Sequence, residues 1–113
     1  MVQSDRLNAY RIMWLLIMFD LPTETKKDRK HAQLFRKRLL EDGFRMFMFS
    51  KYLRHCISRE NAEVHIARVK RFLPPKGTIG ILRITDKQFS EMEIFTNRKP
   101  AQKMPTVQQL ELF

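Results

Sequence analysis

Ile12 to Phe19 is an unbroken apolar run that leads into one carboxylate, Asp20, and is then stopped by Leu21-Pro22. A run of that length predicts a strand buried on both faces, or a short buried helix. The strand is preferred, because the run is short for a helix and Pro22 punctuates it. Such a strand lies near the middle of a sheet, and its last side chain emerges at the sheet's end. Asp20 in that place reads as a helix cap, a sheet-end turn residue or a functional ligand.

After Pro22 the period changes. Thr23 or Thr25 can cap a helix with Glu24 and Asp28 at its N-terminal end, the charges that end prefers. The helix should run to about Asp42, with Gly43 as its stop. Ala32, Phe35 and Leu39 share one face, the core side. Phe44 to Ile57 alternates in part and is rich in aromatics and sulfur, hence strand. A bent strand or a tight hairpin near Phe49-Ser50-Lys51 fits it, although no Gly, Pro, Asn or Asp is present to turn the chain.

Ser58 caps a second helix with Glu60 in its first turn, and Ala62, Ile66, Val69 and Leu73 form its core stripe. Pro74-Pro75-Lys76-Gly77 ends it. Thr78–Thr85 is the next strand, and Met92–Phe95 is a shorter one. The order β-α-β-β-α-β is an α+β, ferredoxin-like sandwich with an additional C-terminal strand and an extended tail. Residues 1–10 form a polar leader, 11–96 the domain and 97–113 the tail. The tail ends in VQQLELF, which reads as a segment for strand addition to a dimer mate or another protein, or as a frayed end.

Composition sharpens this picture in one respect. The 113 residues carry 22 Lys and Arg against 12 Asp and Glu, a net charge of +10. That excess favours a polyanionic partner, nucleic acid before anionic membrane. The first helix concentrates it. Lys26, Lys30 and Lys37 lie within about 40° of one another on the side opposite the core, and Lys27, Arg29, Arg36 and Arg38 flank them. No window reaches the roughly 18 apolar residues that span a membrane. The lone Cys56 rules out an intrachain disulfide, and a cytoplasmic location is expected.

Other chemistry is thin. His31, His55 and His65 have no ligand spacing and are expected to be exposed or at the core's edge. His55 and Cys56 are strand neighbours and point to opposite faces, so they form no catalytic pair. Ser50 and Ser58 lack a base, and Gly77–Gly80 lacks the frame of a phosphate loop. One carboxylate holds a hard cation poorly, but a two-fold dimer would pair Asp20 with its copy around a divalent ion. Such an ion could polarise a phosphodiester and acidify a bound water.

LLIMFDLP, a basic helix, GFRMFMFSKYLR, a helix ending LPPKG and the strand TIGILRIT together resemble the CRISPR-associated Cas-two family. The match covers residues 12 to 96, about three quarters of the chain, and its specificity lies in order and spacing. The FDLP, LPPKG and LELF details are similar to the version found with type II systems. The resemblance implies a homodimer at the centre of the spacer-acquisition complex, joining dimers of the CRISPR integrase subunit while double-stranded protospacer DNA lies across it. It implies that Asp20 matches the strand-end aspartate assigned as catalytic ligand of a divalent cation such as Mg2+ in members described as endonucleases. Phe19 departs from the tyrosine that often precedes that aspartate.

Two functions therefore stand as expectations. One is an antiviral adaptation scaffold that binds duplex through Lys26, Lys27, Arg29, Lys30, Arg36, Lys37 and Arg38, and the integrase through Val107, Leu110, Leu112 and Phe113. The other is a metal-dependent phosphodiesterase built on paired Asp20, with a toxin-like RNase of similar fold as a remote variant. The scaffold is preferred, because basic groups are abundant and catalytic groups scarce.

Overall fold

A computed structural model of the chain describes residues 11–101. Its elements run β1 (Met13–Asp20), α1 (Lys26–Glu41), β2 (Arg45–Met48), β3 (Lys51–Cys56), α2 (Arg59–Arg71), β4 (Thr78–Thr85), α3 (Asp86–Ser90), β5 (Phe95–Thr96) and β6 (Lys99–Pro100). Four strands form one sheet in the order β2-β3-β1-β4. Each neighbouring pair is antiparallel, and Leu16 of β1 faces Leu53 on one side and Leu82 on the other. This is the ferredoxin-like α+β sandwich, with β1 in the interior of the sheet.

That interior place explains the unbroken apolar run. Successive residues of β1 point to opposite faces, and both faces are covered over most of the strand's length. Met13, Leu15, Ile17 and Phe19 pack with Phe35 and Leu39 of α1 and with Ala62, Ile66 and Val69 of α2. The Phe19 and Phe35 rings meet edge to face at 5.1 Å. Trp14 and Leu16 point the other way, onto Leu53 and Phe89. Each fully buried large side chain contributes about 1.5–3 kcal/mol of burial.

The helices begin and end as their sequences dictate. Thr25 caps α1 in a reciprocal box: its hydroxyl accepts from the Asp28 N–H at 3.0 Å, and the Asp28 carboxylate accepts from the Thr25 N–H at 3.3 Å. The bond from the Thr25 backbone is the main reason the Asp28 carboxyl sits below its ordinary range. Gly43 leaves α1 with φ of 94°, a conformation glycine adopts without strain. Ser58 caps α2 by accepting from the Asn61 N–H.

Four local readings are resolved or corrected. Phe44–Ile57 is a tight hairpin. Ser50 turns it with φ of 62°, and an irregularity between Met46 and Met48 absorbs the extra residue. Leu73 does not continue the core stripe. The helix stops at Arg71, and Phe72 packs inward, 5.8 Å from Phe35, while Leu73 is exposed. His65 is buried in α2, because the Asp42 carboxylate reaches its ring.

The Met92–Phe95 strand is also corrected. Thr85 and Gln88 form a capping box that starts α3 ahead of it, and Met92–Ile94 belong to no element. The strand that follows holds only Phe95–Thr96 and pairs with β6 as a hairpin separate from the main sheet. Residues 1–10, and the tail positions Val107, Leu110, Leu112 and Phe113, lie outside the described residues.

Candidate nucleic-acid interface and strand-end carboxylate

Asp20 closes β1 opposite Thr78 of β4, and it is exposed. Its position is held from both sides. The preceding Phe19 N–H donates to the Ser50 carbonyl at the hairpin tip, at 3.0 Å. On the other side Gly77 lies against the strand end. A Cβ there would fall 2.6 Å from Leu21 Cδ2 and 2.7 Å from the Asp20 carbonyl oxygen, and the backbone φ is 101°. Gly77 therefore has no room for a side chain, and this physically explains the glycine of LPPKG.

By strand alternation Asp20 shares its face with Trp14, Leu16 and Met18, the face turned away from α1 and α2. Phe89 and Met92 cover one end of that face. Toward Asp20 it stays open: Leu82 and Met48 are exposed, and Gly80 presents no side chain. Among the described residues no three His, Cys, Asp or Glu side chains cluster as a metal site. Among the described residues one chain thus brings a single carboxylate to this rim, too few by itself to hold a hard cation well.

The seven basic residues expected on α1 divide by what they touch. Lys26, Lys27 and Lys30 are exposed. Arg29 donates to the carbonyls of Thr23 and Glu24 and fastens the helix entry. Arg36 lies over the Phe19 and Phe49 rings, at 5.9 and 5.7 Å, so this cation also braces the hairpin tip beside Asp20. Lys37 stands 3.9 Å from Glu41 in an exposed pair worth little. Arg38 turns toward α2.

What sequence reasoning misses lies on α2. From sequence, Arg68 and Arg71 read only as residues off its core stripe. Together with Arg38, Glu41, Asp42 and Phe72 they line a groove of about 320 Å³ between the two helices. The signal is in their spacing: basic residues three apart in the last turns of a helix share a side. Of the weaker candidates, His55 and Cys56 do point apart, His55 toward Trp14 and Cys56 into the helix-side core. Burial pushes the Cys56 thiol up, which makes it an unreactive core residue. Among the described residues, no helix is long and apolar enough to cross a membrane.

The sequence is similar to those of known proteins. The family description "CRISPR associated protein Cas2" matches residues 13–92. A Flavobacterium psychrophilum protein named CRISPR-associated endoribonuclease Cas2 is 59% identical over 108 residues, covering 96% of this chain and 94% of that relative. Proteins of the same name from Parvibaculum lavamentivorans and Paracidovorax avenae are 49% and 44% identical, over 89% and 95% of this chain. They are spanned over 100% and 99% of their own lengths.

Proposed function

Taking as premise that this chain belongs to the CRISPR associated protein Cas2 family, we propose that it is the scaffold of spacer acquisition in a system of type II character. As a homodimer it holds duplex protospacer DNA and the integrase subunit together. The observation that carries this reading is the charge on α1. Lys26, Lys27 and Lys30 are exposed and have no carboxylate partner among the described residues. Unpaired surface cations at several positions suit phosphate contact without base readout.

The homodimer is supported by the sheet face that carries Asp20, where Leu82, Met48 and half-buried Met18 stand open. A two-fold contact on that face would set the two Asp20 side chains on the same seam. Val107, Leu110, Leu112 and Phe113 supply the integrase contact in this reading.

The test is a salt titration of duplex binding. Log affinity should fall steeply with log salt, and Lys26→Gln/Lys30→Gln/Lys37→Gln should flatten that slope by about 0.9 for each phosphate no longer neutralised. Binding that does not respond to salt would refute the reading.

A second reading, favoured by the names of the relatives and the exposed rim position of Asp20, is a divalent-metal-dependent endonuclease. Asp20 from each protomer would hold the cation. When bound, the ion would polarise a phosphodiester and lower the pKa of a bound water. The chain's own part would be to hold the Asp20 carboxylate at the rim, through Gly77 and the hairpin tip.

A further inference from the structure

We propose that the groove between α1 and α2 is a phosphate seat for the backbone of duplex DNA, formed by Arg38, Arg68 and Arg71. This rests on the duplex-binding reading above and moves its centre from the α1 stripe to a shallow surface between two helices.

Three observations carry it. The groove is an open, shallow depression of about 320 Å³, and arginines from both helices line it. Arg38 and Arg71 have no carboxylate partner among the described residues, although acidic groups lie close to them. Of those acids Asp42 is firmly engaged, and Glu41 only weakly. Asp42 accepts from His65 Nδ1 at 2.8 Å and from Arg68 Nη1 at 3.0 Å, and Glu41 faces Lys37 at 3.9 Å. Two arginines thus remain free of carboxylates, while a third is held in place by Asp42.

Both helices present their C-terminal, negative ends here, so the arginines alone supply the attraction for a phosphate. A guanidinium presents planar paired donors to phosphate oxygens, which a lysine ammonium does not. Arg68 is tethered, so less side-chain freedom is lost when a phosphate arrives. Phe72 forms part of the wall. By comparison Lys37 is paired and Lys76 stands 4.0 Å from Asp28. The exposed lysines of α1 would add long-range attraction, with the groove making the close contact.

The test uses the full chain with a blunt 30-base-pair DNA duplex and, in a second arm, a single-stranded RNA of matched length. Arg38→Gln/Arg71→Gln should weaken duplex binding about tenfold at low salt and flatten the log-log salt slope by about 1.8, at 0.9 per phosphate for two phosphates. Arg38→Lys/Arg71→Lys should recover the slope, because charge is kept, but only part of the affinity. Both sites are exposed, so an unchanged thermal unfolding curve would exclude misfolding as the cause.

If the Gln pair leaves duplex affinity and slope unchanged while the Lys26/Lys30/Lys37 change lowers them, the groove is not the seat and the scaffold reading stands. Loss confined to the RNA arm overturns the duplex assignment. A wild-type protein that binds no duplex overturns both.

Discussion

Trp14→Ala should lower folding stability by about 3–5 kcal/mol in a urea titration, the range for removing a large aromatic from a packed core. Trp14 is 1% exposed, stacks on Phe89 at 4.4 Å and donates its indole N–H to Asp86 Oδ1 at 2.7 Å. These contacts tie α3 to the face of the sheet opposite α1 and α2. The substitution removes the ring, opens a cavity and takes away the side-chain contacts of β1 with Phe89 and Asp86 of α3. Trp14→Phe keeps a ring against Phe89 but loses the hydrogen bond, and should cost less than half as much. A loss below about 1 kcal/mol for the alanine variant, against typical domain stabilities of about 5–15 kcal/mol, would mean that this side of the sheet has no fixed core. The folded fraction should keep its duplex affinity, since Trp14 is on the other side of the sheet from the basic helices.

Asp42→Ala should cost about 2–3 kcal/mol, because it leaves the buried His65 ring without its acceptor, while half-exposed Arg68 can turn to water. Asp42 follows the last turn of α1, and its two carboxylate oxygens are divided between His65 and Arg68 of α2. A carboxylate only accepts, so the His65 Nδ1 carries the proton in this bond. The His65 side chain is 5% exposed and would be left with a buried, unsatisfied N–H. Asp42→Asn retains an acceptor and should cost about half as much, since hydrogen bonds to charged groups are roughly twice as strong as neutral ones. Equal losses for the two variants in chemical unfolding at neutral pH would show that shape, and not the paired charge, is what α2 requires from this position.

Much of the architecture is legible in the sequence because periodicity reports burial. β1 lies between two strands and under two layers, so its residues are apolar at every position up to Asp20. On α1, Ala32, Phe35 and Leu39 are the buried apolar residues, as a helical period demands. The misreadings have local causes. Ser50 turns the hairpin with a positive φ that composition does not advertise. Leu73 falls in phase with the stripe, but the helix has already ended. The short helix α3 is hidden in Thr85-Asp86-Lys87-Gln88, a capping box without a long apolar period behind it.

The candidate site is legible only in part. A carboxylate at the end of an interior strand is a sequence-level observation, as is a helix crowded with basic residues. What each cation faces is not. Arg36 bracing two rings, Arg29 fastening a helix start and Arg38 turning toward Arg68 and Arg71 are relations between elements. His65 reads from sequence as an edge residue for the same reason: its partner Asp42 is 23 residues away. Pairings of that kind follow from the fold, and no local spacing encodes them.

In the scaffold proposed above, Asp20 stands outside the chemistry of spacer capture. The most direct measurement is spacer integration in vitro with the purified integrase subunit, comparing wild type with Asp20→Ala. Integration by the variant at the wild-type rate is the predicted result, and it would leave Asp20 a structural residue of the strand end. Integration lost, with the dimer and its duplex binding intact, would contradict the account and put metal chemistry at Asp20 into the mechanism.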